Sequence, residues 1–558
     1  MKFSEFEYVR PDMDAECEFV EKLTKDFANA KTAEEQIEII KQYRDRYIDV
    51  TSMMSLCSIR NTQDTNNAFY KAEQEFFDVK DPTYSNVIVK FGKQILATGH
   101  LNEIKKEFGD LFISNLEFDA KSMSDEIIPL MEEENKMVSE YQLFNANARV
   151  KFNGEEMTIS QVSKYITNDD RSVRKAAMQA LSDFYRGNKD FLETTYDKLV
   201  KNRTKQANMM GYKTYTPLGY IRMNRNSYTA EDVAVFRKQI VEEVVPVIVK
   251  AKKNQAKRLG LDQLEIYDDT YRFADGNPKS CESAEEMMEL TRQVFSDMSP
   301  LFKEYINFMI DNELYDAPDR PGKRVGAYTS DVKSHNVPYV FLNYNGTAGS
   351  VTTTFHEFGH GFEGYLSRNS KNAALIGYTM DVAETHSMSM EFLAWKGVGR
   401  FFKDPRDLEK YKISQVEDCL AFLSYGTMVD HFQHIVYDNP DLTPDERNAE
   451  WRKLEKIYRP YLDFDGIEFY ADGCLWQRQQ HIYSSPFYYI DYVLAQTIAL
   501  QFWQLAEKDY DSALNTYVEY VKKAGTMKFT DLVRSAGLKV PFDEGSLKGL
   551  AETIEKTL

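Results

Sequence analysis

The stretch that decides how this chain is interpreted is His356-Glu357-Phe358-Gly359-His360. On a helix, positions i and i+4 lie one above the other on the same face, so both imidazoles can reach a single ion. The glutamate between them is turned off that face, where it is poorly placed as a ligand but can take a proton from a water molecule at the ion. The spacing therefore predicts a zinc hydrolase site with His356 and His360 as ligands and Glu357 as general base.

The flanking residues favour a helix around this motif. Ser350 is a candidate N-cap for a helix over 351–366. Gly359 and Gly361 each cost about 1 kcal/mol relative to alanine in a helix, so we expect them to make space for a neighbouring helix or for a substrate backbone. An apolar stripe at helical spacing predicts the buried face of this helix: Phe355, Phe358, Phe362 and Leu366.

A third ligand is expected, because zinc in a hydrolase takes three protein ligands and keeps one position open. Residues 381–395 predict a second helix, and Glu384 is our candidate for the ligand. Glu391 lies two turns further on the same face and could orient a ligand imidazole, as could Asp381; both could equally be ordinary surface charges. His386 is turned about 200° from Glu384 and is interpreted as an ordinary buried histidine.

Two segments before the metal motif are predicted to be strands. Residues 324–329 and 339–343 are rich in Val, Tyr and Phe, and a polar stretch separates them. Pro338 suits the start of the second strand, where it does not have to donate a hydrogen bond to a neighbour. A short sheet beside a protease site can bind an extended peptide along its edge; a small structural hairpin fits the residues equally well.

These motifs together resemble a known family. Residues 338–347, the His356 motif and Glu384 resemble the oligoendopeptidase F branch of the thimet oligopeptidase family, zinc metallopeptidases that cut short peptides. The size and acidity of the chain resemble the bacterial Pz-peptidase type within that branch. The resemblance is clear over about residues 200–540, whereas the N-terminal third resembles the family only in its general character. It also includes residues 218–222, 225–226, 322–328, 436–440, 444–448 and the tyrosine-rich segment that follows His481.

The resemblance implies that His481, Tyr489 and Tyr492 face the zinc ion and stabilise the tetrahedral intermediate. Tyrosine hydroxyls and an imidazole N–H can donate to the developing oxyanion, and one such donor is commonly worth about 10²–10³ in rate. The alignment to the family pattern needs one deletion, so Tyr488 competes with Tyr489 and is also a candidate for substrate binding. The alternative, which is less favoured, is that the tyrosine-rich run serves core and lid packing.

The chain departs from the family pattern just before His481. Thimet-type enzymes carry several glycines there, whereas this sequence has Gly473 followed by the bulkier residues 474–477. An equally mobile hinge loop is therefore not expected. For the first predicted strand, the resemblance favours peptide binding over a structural hairpin. The candidate substrate-binding residues there are Gly326, Ala327 and Tyr328.

A second histidine pair, His431 and His434, is not expected to bind metal. The spacing is compatible with a metal site, but no carboxylate or cysteine cluster flanks the pair with suitable geometry. The sequence therefore predicts one zinc ion per chain.

Composition excludes several other classes of function. The chain has 558 residues, 42% of them hydrophobic and 28% charged, which is typical of a soluble globular protein. No apolar run approaches the roughly 18 residues of a membrane span, and the first residues do not have the pattern of a signal peptide. The net charge of −19 opposes binding to nucleic acid and to anionic membranes. Five scattered cysteines favour a reducing compartment, so we expect a cytoplasmic protein that binds neither nucleic acid nor membrane. Its oligomeric state stays open.

The distribution of proline and glycine suggests two lobes. Only three of 16 prolines and five of 26 glycines fall in the first 200 residues, which predicts an N-terminal helical lobe over 1–200 and a catalytic lobe over 201–558, with a soft boundary. The expected fold is mainly α, a two-lobed helical clamshell with a small β-sheet beside the zinc site. The family resemblance implies a deep central channel between the lobes, which admits short, flexible peptides.

The sequence thus predicts a zinc-dependent endopeptidase that hydrolyses internal bonds of short unstructured peptides by metal-activated water. Two alternatives stay open. A zinc exopeptidase on a related scaffold needs a fixed charged group to hold a substrate terminus, and none is identified. A non-catalytic peptide-binding protein is disfavoured because Glu357 and the open metal site are both retained.

Overall fold

The computed structural model describes residues 1–324 and 326–557, and it is mainly helical, as predicted. Shorter 3₁₀ and π turns link several helices. The elements in chain order are α1 Met13–Asn29, α2 Ala33–Gln63, α3 Ala68–Leu96, α4 Leu101–Phe108, α5 Asp110–Ser122, α6 Ile128–Ala146, β1 Val150–Phe152, β2 Glu155–Met157, α7 Ile159–Ser163, α8 Arg171–Gly187, α9 Lys189–Met209, α10 Tyr215–Arg222, α11 Ala230–Gln239, α12 Val245–Leu259, α13 Ala284–Met298, α14 Pro300–Asp311, β3 Tyr315–Pro318, β4 Tyr328–Val332, β5 Val337–Tyr344, α15 Ala348–Ser367, α16 Ala373–Ile376, α17 Met380–Leu393, α18 Pro405–Asp438, α19 Pro444–Tyr458, α20 Glu468–Ala471, α21 Gln480–Ser484, α22 Tyr489–Lys508, α23 Tyr510–Lys522, α24 Phe529–Ser535 and α25 Lys548–Thr557.

The chain forms two compact units, and each takes segments from distant parts of the sequence. Unit 1 contains residues 1–121, 279–408 and 498–539; unit 2 contains residues 122–278, 409–497 and 540–558. The expected boundary near residue 200 falls in α9, inside unit 2. Helices far apart in sequence pack together within a unit: in unit 1, the α23 ring of Tyr517 lies 6.2 Å from Phe362 of α15. The division into lobes over 1–200 and 201–558 remains a prediction. The central channel remains a prediction.

The helix that carries the histidine pair, α15, packs into the core of unit 1. Its stripe of Phe355, Phe358 and Phe362 is fully buried, and Phe362 stacks on Phe302 of α14 with ring centroids 4.2 Å apart. The helix begins three residues earlier than predicted. The Thr347 hydroxyl, and not that of Ser350, accepts the capping hydrogen bond, because Thr347 has the extended backbone of an N-cap (φ −90°, ψ 156°) whereas Ser350 already lies in the helix.

A small sheet packs beside this helix, as predicted; it has three strands in the order β3-β5-β4, and β3 was not among the predicted strands. The central strand β5 runs parallel to β3 and antiparallel to β4, so β4 lies at one edge. The first predicted strand starts later than expected, at Tyr328. The preceding residues form a loop because Gly326 has φ 104° and the Asn343 side-chain amide donates to the carbonyls of Gly326 and Arg324, at 2.6 and 2.7 Å. Val325, in the predicted strand, lies outside the described residues.

The N-terminal helices belong to the same unit as the sheet. Their core is a large apolar cluster that includes Phe27, Ile40 and Phe91. The end of α2 holds the segment before β4: the Arg324 amide donates to the Thr62 carbonyl at 2.9 Å, and the hydroxyls of Thr62 and Tyr328 lie 2.5 Å apart. The first chain segment of unit 1 therefore sets the position of the strand predicted to bind substrate.

Two expectations from composition can be compared with the structure. All five cysteines, on which the expected reducing compartment was based, are free. Among residues 1–324 and 326–557, no helix has both the length and the apolar character needed to cross a bilayer.

Candidate metal centre

Close packing of α15 against α17 builds the site. A Cβ on Gly359 would stand 2.7 Å from the Ser387 Cα and 2.9 Å from the His386 carbonyl oxygen, which is closer than real side chains approach. On a different side of α15, a Cβ on Gly361 would meet the hydroxyl of Tyr305 of α14 at 2.5 Å. Of the two uses for space that the sequence left open, the structure therefore shows the neighbouring helix.

This packing brings the three candidate ligands together. Glu384 Oε2 lies 3.3 Å from His356 Nε2 and 3.5 Å from His360 Nε2. A tetrahedral zinc ion with bonds of about 2.0–2.1 Å requires ligand atoms about 3.3–3.4 Å apart, so the donor set and its spacing fit this ion. No other group of three or more His, Cys, Asp or Glu residues in the described part of the chain has such a geometry.

Glu391 fixes the ring of His356. Its carboxylate lies 2.8 Å from His356 Nδ1, so that Nδ1 carries the proton and Nε2 points to Glu384. Burial lowers the pKa of His356, but the hydrogen bonds and charges of Glu384 and Glu391 outweigh burial and hold this pKa well above its usual value. The metal-free ring therefore also carries a proton on Nε2, and a metal ion that binds there must displace it, while the proton on Nδ1 stays.

Ser387 supports the third ligand, a contact that the sequence did not suggest. Its hydroxyl lies 3.2 Å from Glu384 Oε2 and donates to the Glu384 carbonyl at 2.9 Å. Burial raises the pKa of Glu384, but hydrogen bonds from His356 and His360 outweigh it and hold the pKa well below its usual value. The carboxylate is therefore ionised, as a metal ligand must be.

Glu357 lies beside the ligands, in contact with the sheet. Its side chain is buried, and the Thr329 hydroxyl of β4 lies 2.9 Å from Glu357 Oε2 and 2.9 Å from the Glu357 carbonyl oxygen. Burial raises the pKa of Glu357, against the opposing charges of His356 and His360. Nothing in the spacing of the motif pointed to Thr329, because the contact depends on how the sheet packs on the helix.

Two other residues of α17 have roles different from metal ligation. Asp381 Oδ1 accepts hydrogen bonds from the Val382 amide, at 2.7 Å, and from the Thr379 hydroxyl, which stabilises the start of the helix. His386 is fully buried between the rings of Tyr378 and Tyr520. Burial, with a smaller effect of the charge of His360, lowers the pKa of His386 to about 3.

The candidate substrate-binding residues precede and begin the edge strand. Gly326 and Ala327 lie in the loop before β4, and Tyr328 is its first residue. The Tyr328 ring stacks on Phe341 of β5 at 4.8 Å. Side-chain contacts thus fix this segment where it leads into β4. The outer edge of β4 is where a further strand can pair with the sheet.

Comparison with known proteins identifies the family. The model "Peptidase family M3" matches residues 164–552, and the model "Peptidase M3 N-terminal domain" matches residues 3–123. The chain belongs to peptidase family M3, in its oligoendopeptidase F branch. The N-terminal match nearly coincides with the first segment of unit 1. In this part of the chain the sequence alone showed only a general resemblance to the family.

Individual relatives agree with this assignment. The solved structure of Pz peptidase A with inhibitor 2 has a TM-score of 0.94 and 37% identity, covering 100% of this chain and 98% of that chain. Oligopeptidase PepF of Bacillus subtilis (strain 168) is 24% identical over 70% of this chain, a match that spans only 58% of that protein. The oligoendopeptidase F homolog of Borreliella burgdorferi is 24% identical over 77% of this chain and 72% of its own length.

In unit 2 of this M3 chain, the histidine and the tyrosines implied by the family resemblance form one ring cluster. The His481 ring lies 5.8, 5.0 and 6.0 Å from the rings of Tyr488, Tyr489 and Tyr492. Gln479 Nε2 lies 2.9 Å from His481 Nδ1. All three tyrosines are therefore within ring contact of the histidine, so that Tyr488 and Tyr489 both remain candidates. Their role towards the metal remains a prediction.

The pair His431 and His434, also in unit 2, contacts tyrosines. His431 Nδ1 lies 3.1 Å from the Tyr458 hydroxyl, and His434 Nε2 lies 2.9 Å from the Tyr220 hydroxyl. Neither histidine belongs to the metal-binding group found among the described residues.

Proposed function

We propose that this M3 chain is a zinc-dependent endopeptidase, an oligopeptidase that hydrolyses internal bonds of short unstructured peptides. The observation that carries the proposal is the spacing of the ligand atoms. The distances of 3.3 and 3.5 Å from Glu384 Oε2 to the two imidazoles match the ligand separations around tetrahedral zinc. When bound, zinc acts as a Lewis acid on the scissile carbonyl and lowers the pKa of a bound water towards about 7.

The residues of the proposed site have separate roles in metal binding and proton transfer. His356, His360 and Glu384 hold the metal, and Glu391 fixes the His356 tautomer by its hydrogen bond to Nδ1. Glu357 takes a proton from the attacking water at its carboxylate and passes it to the leaving amine. Its raised pKa suits both steps, because a catalytic acid–base is most effective when its pKa lies near the working pH.

Two further parts of the chain complete the proposed site. His481, Tyr489 and Tyr492 donate hydrogen bonds to the oxyanion, with Tyr488 as the alternative to Tyr489. The segment over 326–328 and the edge of β4 bind the main chain of the peptide, so that varied side chains are accepted. The expected location is the cytoplasm, and neither nucleic acid nor membrane is an expected partner.

The decisive experiment is the Glu357→Gln variant. Metal analysis is expected to give one zinc per chain in the parent and in the variant, while the rate of peptide cleavage falls by about 10²–10⁴. The substrate is a fluorogenic peptide blocked at both ends, and its product masses report the cut. Cleavage of an internal bond supports an endopeptidase, whereas cleavage only after a terminus is freed supports the exopeptidase alternative. An inactive parent with zinc bound supports a non-catalytic protein, and a variant as fast as the parent contradicts the assignment of the base.

A further inference from the structure

We propose that Thr329 is a positioning residue for Glu357, and that it orients the general base from the strand that binds the substrate. This inference rests on the function proposed above. Thr329 Oγ1 lies 2.9 Å from Glu357 Oε2 and 2.9 Å from the Glu357 carbonyl oxygen, so the hydroxyl can donate to either atom. It is the one described hydrogen-bond donor to this carboxylate.

The contact assigns different roles to the two oxygens of the base. Because Thr329 binds Oε2, rotation of the carboxylate about its last bond is restricted. Oε1 accepts no hydrogen bond from the residues that the structure describes, so it is the oxygen available to take a proton from water. Only 5% of Glu357 is exposed, so this orientation is set inside a protected site.

The position of Thr329 links the base to the substrate. Its main chain belongs to β4, the edge strand, where it pairs with Val340 of β5. A peptide that adds to the outer edge of β4 is thereby placed relative to the same residue whose side chain holds Glu357. An error of about 1 Å between base and scissile bond can cost about 100-fold in rate. One residue that contacts both the base and the substrate-binding edge can keep this error small.

A purely structural role has to be distinguished from this one. The hydroxyl also donates to the Glu357 carbonyl, so the alternative role is to join β4 to α15 without any effect on the base. In that case its loss reduces stability, and any loss of activity follows the loss of folded protein or of zinc. A positioning role instead lowers kcat in protein that remains folded and zinc-loaded.

The test compares Thr329→Val, which keeps the β-branched shape and removes the hydroxyl, with Thr329→Ser, which keeps the hydroxyl. We expect kcat of the valine variant to fall by about 10- to 100-fold, with KM within about twofold of the parent. The serine variant is expected to stay within about threefold of the parent in both constants. Zinc content and Tm are measured for each protein. The matched control is Thr353→Val, the same change at an exposed position of α15, whose hydroxyl bonds only within the helix at Gly349.

A double-mutant comparison separates this inference from the proposed function. If Thr329 acts through the base, the valine change has no further effect in the Glu357→Gln background. Parental kcat in Thr329→Val, an equal loss in Thr329→Ser, or additive losses in the double variant would each overturn the positioning role. Should Thr329→Val fold poorly, Thr329→Ala provides the same comparison. Failure of the proposed function is recognised separately, because it appears as an inactive parent or an active Glu357→Gln.

Discussion

Gly359 lies directly against the backbone of Ser387: a Cβ at position 359 would stand 2.7 Å from the Ser387 Cα. This contact joins α15 and α17, the helices that carry the two candidate histidine ligands and Glu384. The separation of the helices determines the 3.3 and 3.5 Å distances within the ligand set. A glycine inside the histidine motif is therefore a requirement of helix packing.

Gly359→Ala is expected to weaken zinc binding and to destabilise unit 1. The new methyl group must push α17 away from α15, and overpacking of this kind costs about 1–3 kcal/mol. Chelator competition gives the zinc affinity, and thermal unfolding gives Tm. The control is Gly349→Ala in the same helix, where a Cβ meets only the Thr347 hydroxyl at 3.8 Å, so that Tm holds or rises. Equal zinc affinity in both variants would contradict the packing argument.

Glu391→Gln is expected to lower zinc affinity by about 10- to 100-fold, because a partner that fixes a ligand imidazole is lost. The same substitution removes a charge that raises the pKa of His356, so in the metal-free protein this pKa is expected to fall. Zinc affinity is measured by competition with a chelator, and the His356 pKa by an NMR titration. An unchanged pKa together with an unchanged affinity would show that Glu391 does not act on this ring.

Asp491→Asn is expected to destabilise unit 2 by about 3–5 kcal/mol, because Arg225 loses its buried ionic partner. The two side chains are 2% and 1% exposed and lie 2.9 Å apart. Urea unfolding measures the effect. The control is Glu242→Gln, which breaks an exposed pair with Lys238 in the same unit and should cost about 0–1 kcal/mol. Similar costs for the two variants would refute the role of the buried pair.

His431 is expected to make unit 2 less stable as the pH falls. Burial, together with the charge of Arg237 and against that of Asp430, lowers the pKa of His431 to about 4, whereas an unfolded histidine titrates near 6.5. Between these values the unfolded chain binds a proton that the native chain does not, so the free energy of unfolding decreases by up to about 1.4 kcal/mol per pH unit. Below pH 4 this contribution is constant.

His431→Gln keeps a polar side chain near Tyr458 and removes the titration. Urea unfolding at pH 7, 6 and 5 should therefore show a shallower decrease of stability in the variant than in the parent. His434, whose pKa is also lowered by burial, is present in both proteins and cancels in the comparison. Identical slopes would mean that the pKa of His431 is the same in the native and unfolded chains, which contradicts the lowered value.

The parts of the site that sequence predicts are those set by local spacing. The i, i+4 spacing places His356 and His360 on one helix face, and the seven-residue spacing places Glu391 on the same face as Glu384. In the structure Glu384 lies 3.3 Å from His356 Nε2, and Glu391 lies 2.8 Å from Nδ1 of the same ring. The phenylalanine stripe of the metal helix is equally local, since a period of 3.6 residues identifies a buried face.

The parts that sequence does not predict depend on packing between distant segments. Thr329 and Ser387 are ordinary residues in the sequence, and only tertiary structure brings their hydroxyls to Glu357 and Glu384. The N-cap is Thr347 and not Ser350: both residues have suitable side chains and both hydroxyls donate to Asn345 Oδ1, so only the backbone shows where the helix begins. Composition divides the chain near residue 200, but it carries no information about which helices pack together.

The contact between Tyr517 and α17 has a consequence for biosynthesis. The Tyr517 hydroxyl donates to the His386 carbonyl at 2.8 Å, so the helix that supplies Glu384 is held by a residue more than a hundred positions later. A growing polypeptide on the ribosome already contains both histidines long before this tyrosine emerges. The contacts that hold α17 in unit 1 are therefore completed only after residue 517 has been synthesised.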